Sequence, residues 1–214
     1  MRNPILQLIR KRRFGAPVVI VSGLPRSGTS MVMKMLQSGG VPAFTDATRR
    51  ADDDNPEGYF EHERVKELDK TADKSWVREA RGKALKVISH LVKELPPDNY
   101  YRIILARRDL KEVVASQNIM LARRGEPNPV ADAEAEELYR KHLLHVALHI
   151  DGQPNMELLT VQYRDILRDP IGCAQQINRF VGGGLNTTAM ANAVNPGLYR
   201  NRAPELARAL EKSS

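Results

Sequence analysis

One stretch limits the folds open to this chain: VVIVSGLPRSGTS, Val18 to Ser30. Val18 to Val21 is a β-branched apolar run without alternation, the pattern of a strand covered on both faces. A glycine-bearing turn follows. Met31, Val32, Met35 and Leu36 then recur at helical spacing up to Gly39 and Gly40, which suit a helix C-terminus. Strand, glycine loop and helix in that order make an anion-holding turn, because the amides that open a helix lack intrahelical partners and lie at the positive end of its dipole. Gly23, Gly28 and Ser30 keep the spacing of the phosphate loop G-x-x-x-x-G-K-[ST]. Thr29, however, stands where that loop has its lysine, and the cation inside the turn is Arg26.

The rest of the chain repeats the alternation. Short apolar runs at Leu85 to Ile88, Arg102 to Ala106 and Leu158 to Val161 read as further buried strands. Helical patterns are expected over Glu61 to Lys74, Leu110 to Arg124, Asp132 to Ile150 and Pro170 to Val181, the last with proline at its first position and glycines 182 to 184 at its end. Between Val41 and Gly58 the composition turns to Pro, Asp, Asn and Arg, which reads as a long irregular connection. The expectation is an α/β protein with a phosphate-loop type, three-layer fold: a mostly parallel central sheet flanked by helices. With 214 residues and no linker of Pro, Gly and Ser, it reads as one domain over 1–214, with a basic extension at 1–16 and a tail at 203–214.

Charge narrows the partners. A net charge of +7 draws anions, be they nucleic acid, anionic lipid or a multiply charged small molecule. The segment 1–13 carries Ile5, Leu6, Leu8 and Ile9 beside Arg10 to Arg13, which reads as a solvated extension able to make weak contact with a membrane surface. No apolar run is long enough for a signal sequence or a membrane span. A single cysteine, Cys173, forms no internal disulfide framework and fits the reducing cytoplasm.

The replacement PRSGTS, Pro25 to Ser30, resembles the 5′-phosphosulfate loop of sulfotransferases that use 3′-phosphoadenosine 5′-phosphosulfate. The resemblance implies that Arg26 binds between phosphate and sulfate and stabilises charge on the departing phosphate, with Pro25, Ser27, Gly28, Thr29 and Ser30 forming the cradle. Arg107 to Ser116, RRDLKEVVAS, resembles the family's 3′-phosphate motif, and the roles carry over to Arg108 and Ser116. Eight residues are a little over two helical turns, so Ser116 can face back to the strand's end. The stretch from Val161 to Gly182 is also similar to the family but reads as packing by Tyr163 and Phe180. Arg200 and Arg202 stand where many members place basic residues over the 3′-phosphate. The pattern is most similar to bacterial single-domain sulfotransferases.

A base must take the acceptor's proton as the sulfuryl group arrives. Family members of one kind place a His two residues after a strand-ending Lys. Here Lys86 is followed at that spacing by Ile88, and His90 lies four residues on. Members with an Arg in the loop use a Glu after the first helix. That resemblance points to Glu61, with Glu57 and His62 as alternatives, and Lys86 as a contact of the transferring group. His142, His145 and His149 share a helical face, but no second cluster completes a metal set, and no metal is expected. The resulting reading is transfer of a sulfuryl group to a hydroxyl or amine, leaving adenosine 3′,5′-bisphosphate. Its rivals are a phosphate-loop kinase and a basic nucleic-acid-binding protein, the second of which lacks a recognisable reader motif. Carbohydrate, lipid, peptide and small metabolite all stay open as acceptors.

Overall fold

A computed structural model describes residues 4–46, 60–128 and 130–198. Four strands, β1 (Val18–Gly23), β2 (Ala84–Ile88), β3 (Tyr101–Arg107) and β4 (Met156–Gln162), form one all-parallel sheet in the order β2-β1-β3-β4. β1 is central, and all six of its residues are buried. Its side chains alternate between two cores, which is why the sequence shows no alternation of polarity. Val18 and Ile20 join Leu85, Val87, Tyr101, Ile103, Val146 and Ile150 on one face. Val19 and Val21 join Val32, Leu36, Ile104, Ile177 and Phe180 on the other.

The helices divide accordingly. α2 (Thr29–Ser38), α6 (Pro170–Val181) and α7 (Thr187–Asn192) cover the second face, and α4 (Asp132–Asp151) packs on the first. α3 (Leu110–Arg124) leads out of β3, and the short α5 (Tyr163–Arg168) follows β4. Asp109 caps α3 by accepting from the Lys111 amide, and Gly125 ends it in the left-handed conformation. Asp169 caps α6 with Pro170 behind it.

Two local expectations change. The helix expected from Glu61 to Lys74 is a single 3-10 turn, Glu63–Glu67, followed by turns. Its inward residues are Val65 and Leu68, three apart, which a 3-10 turn brings into line without a longer helix. A further 3-10 turn, Ser89–Glu94, follows β2. At the N-terminal end, α1 (Pro4–Phe14) is a helix tied to the sheet rather than a solvated extension. Arg10 donates to the Pro154 carbonyl at 2.7 Å and pairs with Glu157 on β4. Among the described residues no helix is long and apolar enough to cross a membrane.

Candidate functional site

All four strands end on the same side of the sheet, and the expected residues of the two phosphate motifs gather there. The loop from β1 into α2 needs its glycines for two different reasons. A β-carbon at Gly23 would sit 2.6 Å from the Ala106 carbonyl oxygen and also collide with the Ser27 hydroxyl, so the loop can lie against β3 only without one. Gly28 has φ 97°, and a β-carbon there would stand 2.5 Å from the Tyr163 ring. Arg26 also holds a left-handed backbone, φ 69°, which costs a residue with a side chain on the order of 1–2 kcal/mol.

That turn aims Arg26 at the second motif. Its Nε donates to the Ser116 hydroxyl at 3.0 Å, and its own carbonyl accepts from Arg108 Nη1 at 3.4 Å. Arg108, Arg26 and Ser116, expected to serve opposite ends of one ligand, therefore form a connected group across the ends of β1 and β3. The Ser27 amide is already committed to the Leu24 carbonyl at 3.2 Å. The amides that open α2 lack intrahelical partners. Pro25 is exposed, and Ser27 is 2 % exposed.

Arg108 is fixed by groups that its motif did not point to. Its Nε pairs with Glu112 at 2.8 Å, and its guanidinium lies 4.8 Å over the Tyr163 ring. Glu112 is fully buried and also accepts from Arg164. The ring of Tyr163 thus touches both phosphate motifs, Gly28 and Arg108, a role that packing alone did not suggest. An acid in the first turn of a helix, four residues after an arginine that precedes it, was the available signal for Glu112.

Lys86, on β2 opposite Val21, extends Nζ to within 3.4 Å of the Ser30 hydroxyl. It belongs to the loop's surroundings. Glu61 lies beyond the open edge of β2: Ala43 bridges Ala84 there, and Thr45, two residues on, donates to the Glu61 carbonyl at 2.6 Å. The Glu61 carboxylate faces Lys66 at 4.0 Å. His62 is stacked between Phe44 and Trp76, with ring centroids 4.8 and 5.1 Å away, and so serves as a packing group. His90 is exposed on the 3-10 turn. His142, half-buried on α4, bonds through Nε2 to the Ser89 hydroxyl at 2.8 Å, and burial followed by His90 and His145 holds its pKa below the ordinary value. Among the described residues no three His, Cys, Asp or Glu side chains group as a metal site. Glu57, Arg200 and Arg202 lie outside the described residues.

A family model described as the sulfotransferase domain matches residues 16–197. No curated protein matches the chain. Several solved structures are similar. A sulfotransferase from Alicyclobacillus acidocaldarius is 16% identical, covering 91% of this chain and 89% of its own, with a TM-score of 0.49. The mouse sulfotransferase SULT7A1, complexed with PAP, is 17% identical over 92% of this chain and 81% of its own, TM-score 0.49. The sulfotransferase STF1 from Mycobacterium tuberculosis is 12% identical over 95% and 80%, TM-score 0.49.

Proposed function

Because the chain belongs to the sulfotransferase domain family and so transfers a sulfuryl group to an acceptor, we propose that its donor is 3′-phosphoadenosine 5′-phosphosulfate. The observation that carries the reading is the connected group Arg26, Ser116 and Arg108, which places two cations and a hydroxyl across neighbouring strand ends. A donor with phosphate at both ends suits that arrangement. Arg26 and the first-turn amides of α2 face the 5′-phosphosulfate, and Arg108 with Ser116 takes the 3′-phosphate. The Arg26 to Ser116 bond is exchanged for bonds to the donor's two ends. Arg200 and Arg202 are proposed as further contacts of the 3′-phosphate. The family match supports neither the kinase nor the nucleic-acid reading.

Transfer of a sulfuryl group, like that of a phosphoryl group, depends on alignment and on charge stabilisation more than on covalent catalysis. Arg26 supplies positive charge where the bridging oxygen becomes a phosphate oxygen. Lys86, reaching Ser30, adds a second cation on the other flank. Glu61 is the carboxylate that the sequence offers to take the acceptor's proton. A cytoplasmic location and a weak contact of residues 1–13 with anionic lipid belong to the same proposal, the latter supported by exposed Leu8 and Ile9 beside Lys11 to Arg13.

Calorimetric titration with adenosine 3′,5′-bisphosphate in EDTA tests the donor. Metal-independent binding that is lost in Arg108→Ala and weakened in Arg26→Ala is expected. Tight binding of ATP with magnesium, without binding of the bisphosphate, would refute it.

A further inference from the structure

Ser89 and His142 are far apart in sequence and meet beside the strand ends that carry the phosphate loop. β2 ends at Ile88, whose register partner is Gly23, the residue that opens the loop. Ser89 comes next and is 2 % exposed, so its hydroxyl is held at the end of β2. On α4, Leu143 shares an apolar cluster with the loop's Leu24, and Tyr139 packs on the same cluster. His142, between them in the helix, is therefore held against the strand ends and not merely on the outer surface of the bundle.

The ring is held by one nitrogen. Nε2 lies 2.8 Å from the Ser89 hydroxyl, while Nδ1 makes no hydrogen bond among the described residues. When Nε2–H donates to the buried hydroxyl, the Nδ1 lone pair is left open, the arrangement by which a second group selects the tautomer of a basic histidine. Lys86, three residues before Ser89, reaches the first turn of α2, so cation and imidazole flank the loop from the same strand end. The groups that bear on the ring's charge are His90 from the 3-10 turn and His145 from α4 itself; none comes from α3 or β4, and no carboxylate is among them. Glu61, by contrast, is turned toward Lys66 and lies across the opposite edge of β2.

We propose that His142 is the catalytic base for sulfuryl transfer, acting through Nδ1, with Ser89 as its positioning residue. The inference rests on the donor reading above and deepens it. In the step, the acceptor oxygen or nitrogen bonds to sulfur as the sulfur–oxygen bond to the donor phosphate breaks, and that electron pair stays on the phosphate oxygen. The acceptor's proton passes to Nδ1, forming an imidazolium whose Nε2–H remains donated to Ser89. An acceptor attacking from this side lies under α4, beside Tyr139.

Two measurements test it. Long-range proton–nitrogen NMR of the resting protein reads the His142 tautomer with neither donor nor acceptor present; Nε2–H with bare Nδ1 is expected, and Nδ1–H would overturn the proposal. Release of adenosine 3′,5′-bisphosphate from the donor is then followed with water and with 2-naphthol as acceptors. His142→Gln is expected to lower kcat by about 100-fold or more, with bisphosphate affinity unchanged, and imidazole to restore part of the rate in His142→Gly. Ser89→Ala should move the acid limb of the pH profile and lower kcat less. A His142→Gln rate within about fivefold of wild type, or a loss confined to Glu61→Gln, would return the role to Glu61. Failure of wild type to bind the bisphosphate would strike the donor reading, while the tautomer is read independently of it.

Discussion

Removing the Glu112 carboxylate should leave Arg108 as a buried cation without its partner. Glu112 is fully buried and Arg108 only 8% exposed at its side chain, with Nε 2.8 Å from the carboxylate. Breaking such a pair from one side costs about 3–5 kcal/mol, because the remaining charge cannot return to water. Arg108 keeps further contacts, among them the Arg26 carbonyl at 3.4 Å and the Tyr163 ring at 4.8 Å, which sets the expectation near the lower limit. Arg164 is half exposed and adds less than about 1 kcal/mol. Glu112→Ala should therefore be destabilised by about 3 kcal/mol, lowering the urea midpoint by about 1–1.5 M for a slope of about 2–3 kcal/mol/M. Saturating bisphosphate should recover more stability in the variant than in wild type, since a phosphate on Arg108 replaces the missing anion and a ligand at about 100 times Kd contributes about 2.7 kcal/mol. A variant within about 0.5 kcal/mol of wild type would refute the view that this carboxylate neutralises a buried cation.

Gly28→Ala should lose stability and bisphosphate affinity together, since its β-carbon meets the Tyr163 ring at 2.5 Å and its φ of 97° is unsuited to alanine; the strained backbone alone costs about 1–2 kcal/mol, and urea unfolding with calorimetry reads both losses. At Arg26, φ 69° separates side chain from backbone: Arg26→Gly should be about 1 kcal/mol more stable than Arg26→Ala in the same unfolding assay, although both lose the cation and bind the bisphosphate weakly. His142 has a folded pKa below its ordinary 6.5, so the unfolded chain binds more protons between the two values and stability falls as pH drops through that window. Unfolding midpoints of His142→Gln between pH 7 and 5 should fall less steeply than those of wild type.

Much of the scaffold was legible because local signals and tertiary packing agreed. Asp109 and Gly125 bracket α3, and Asp169, Pro170 and Gly182 bracket α6, so both helices lie where their caps put them. The loop after Val18 to Val21 was readable from its glycines, and the pair Arg108 and Ser116 from the resemblance of its segment to the family's 3′-phosphate motif. What stayed hidden depends on side chains that meet only after the sheet forms. Tyr163 looked like packing and proved to touch both motifs, and the bond between Ser89 and His142 joins segments that share no periodicity. The segment around Val65 misled because two inward residues three apart satisfy either an α-helix or a 3-10 turn.

The sheet order also governs when the chain can assemble this site. β1 sits between two partners made much later: Val19 beside Ala84 on one side and Val18 beside Tyr101 on the other. Every ladder contact is therefore non-local, and loop closure must be paid before any strand pairing stabilises the fold. Along the chain the loop from Gly23 to Gly28 precedes its floor, the Ala106 carbonyl, and its wall, the Tyr163 ring, so the anion cradle takes shape only when β3 and α5 close on it.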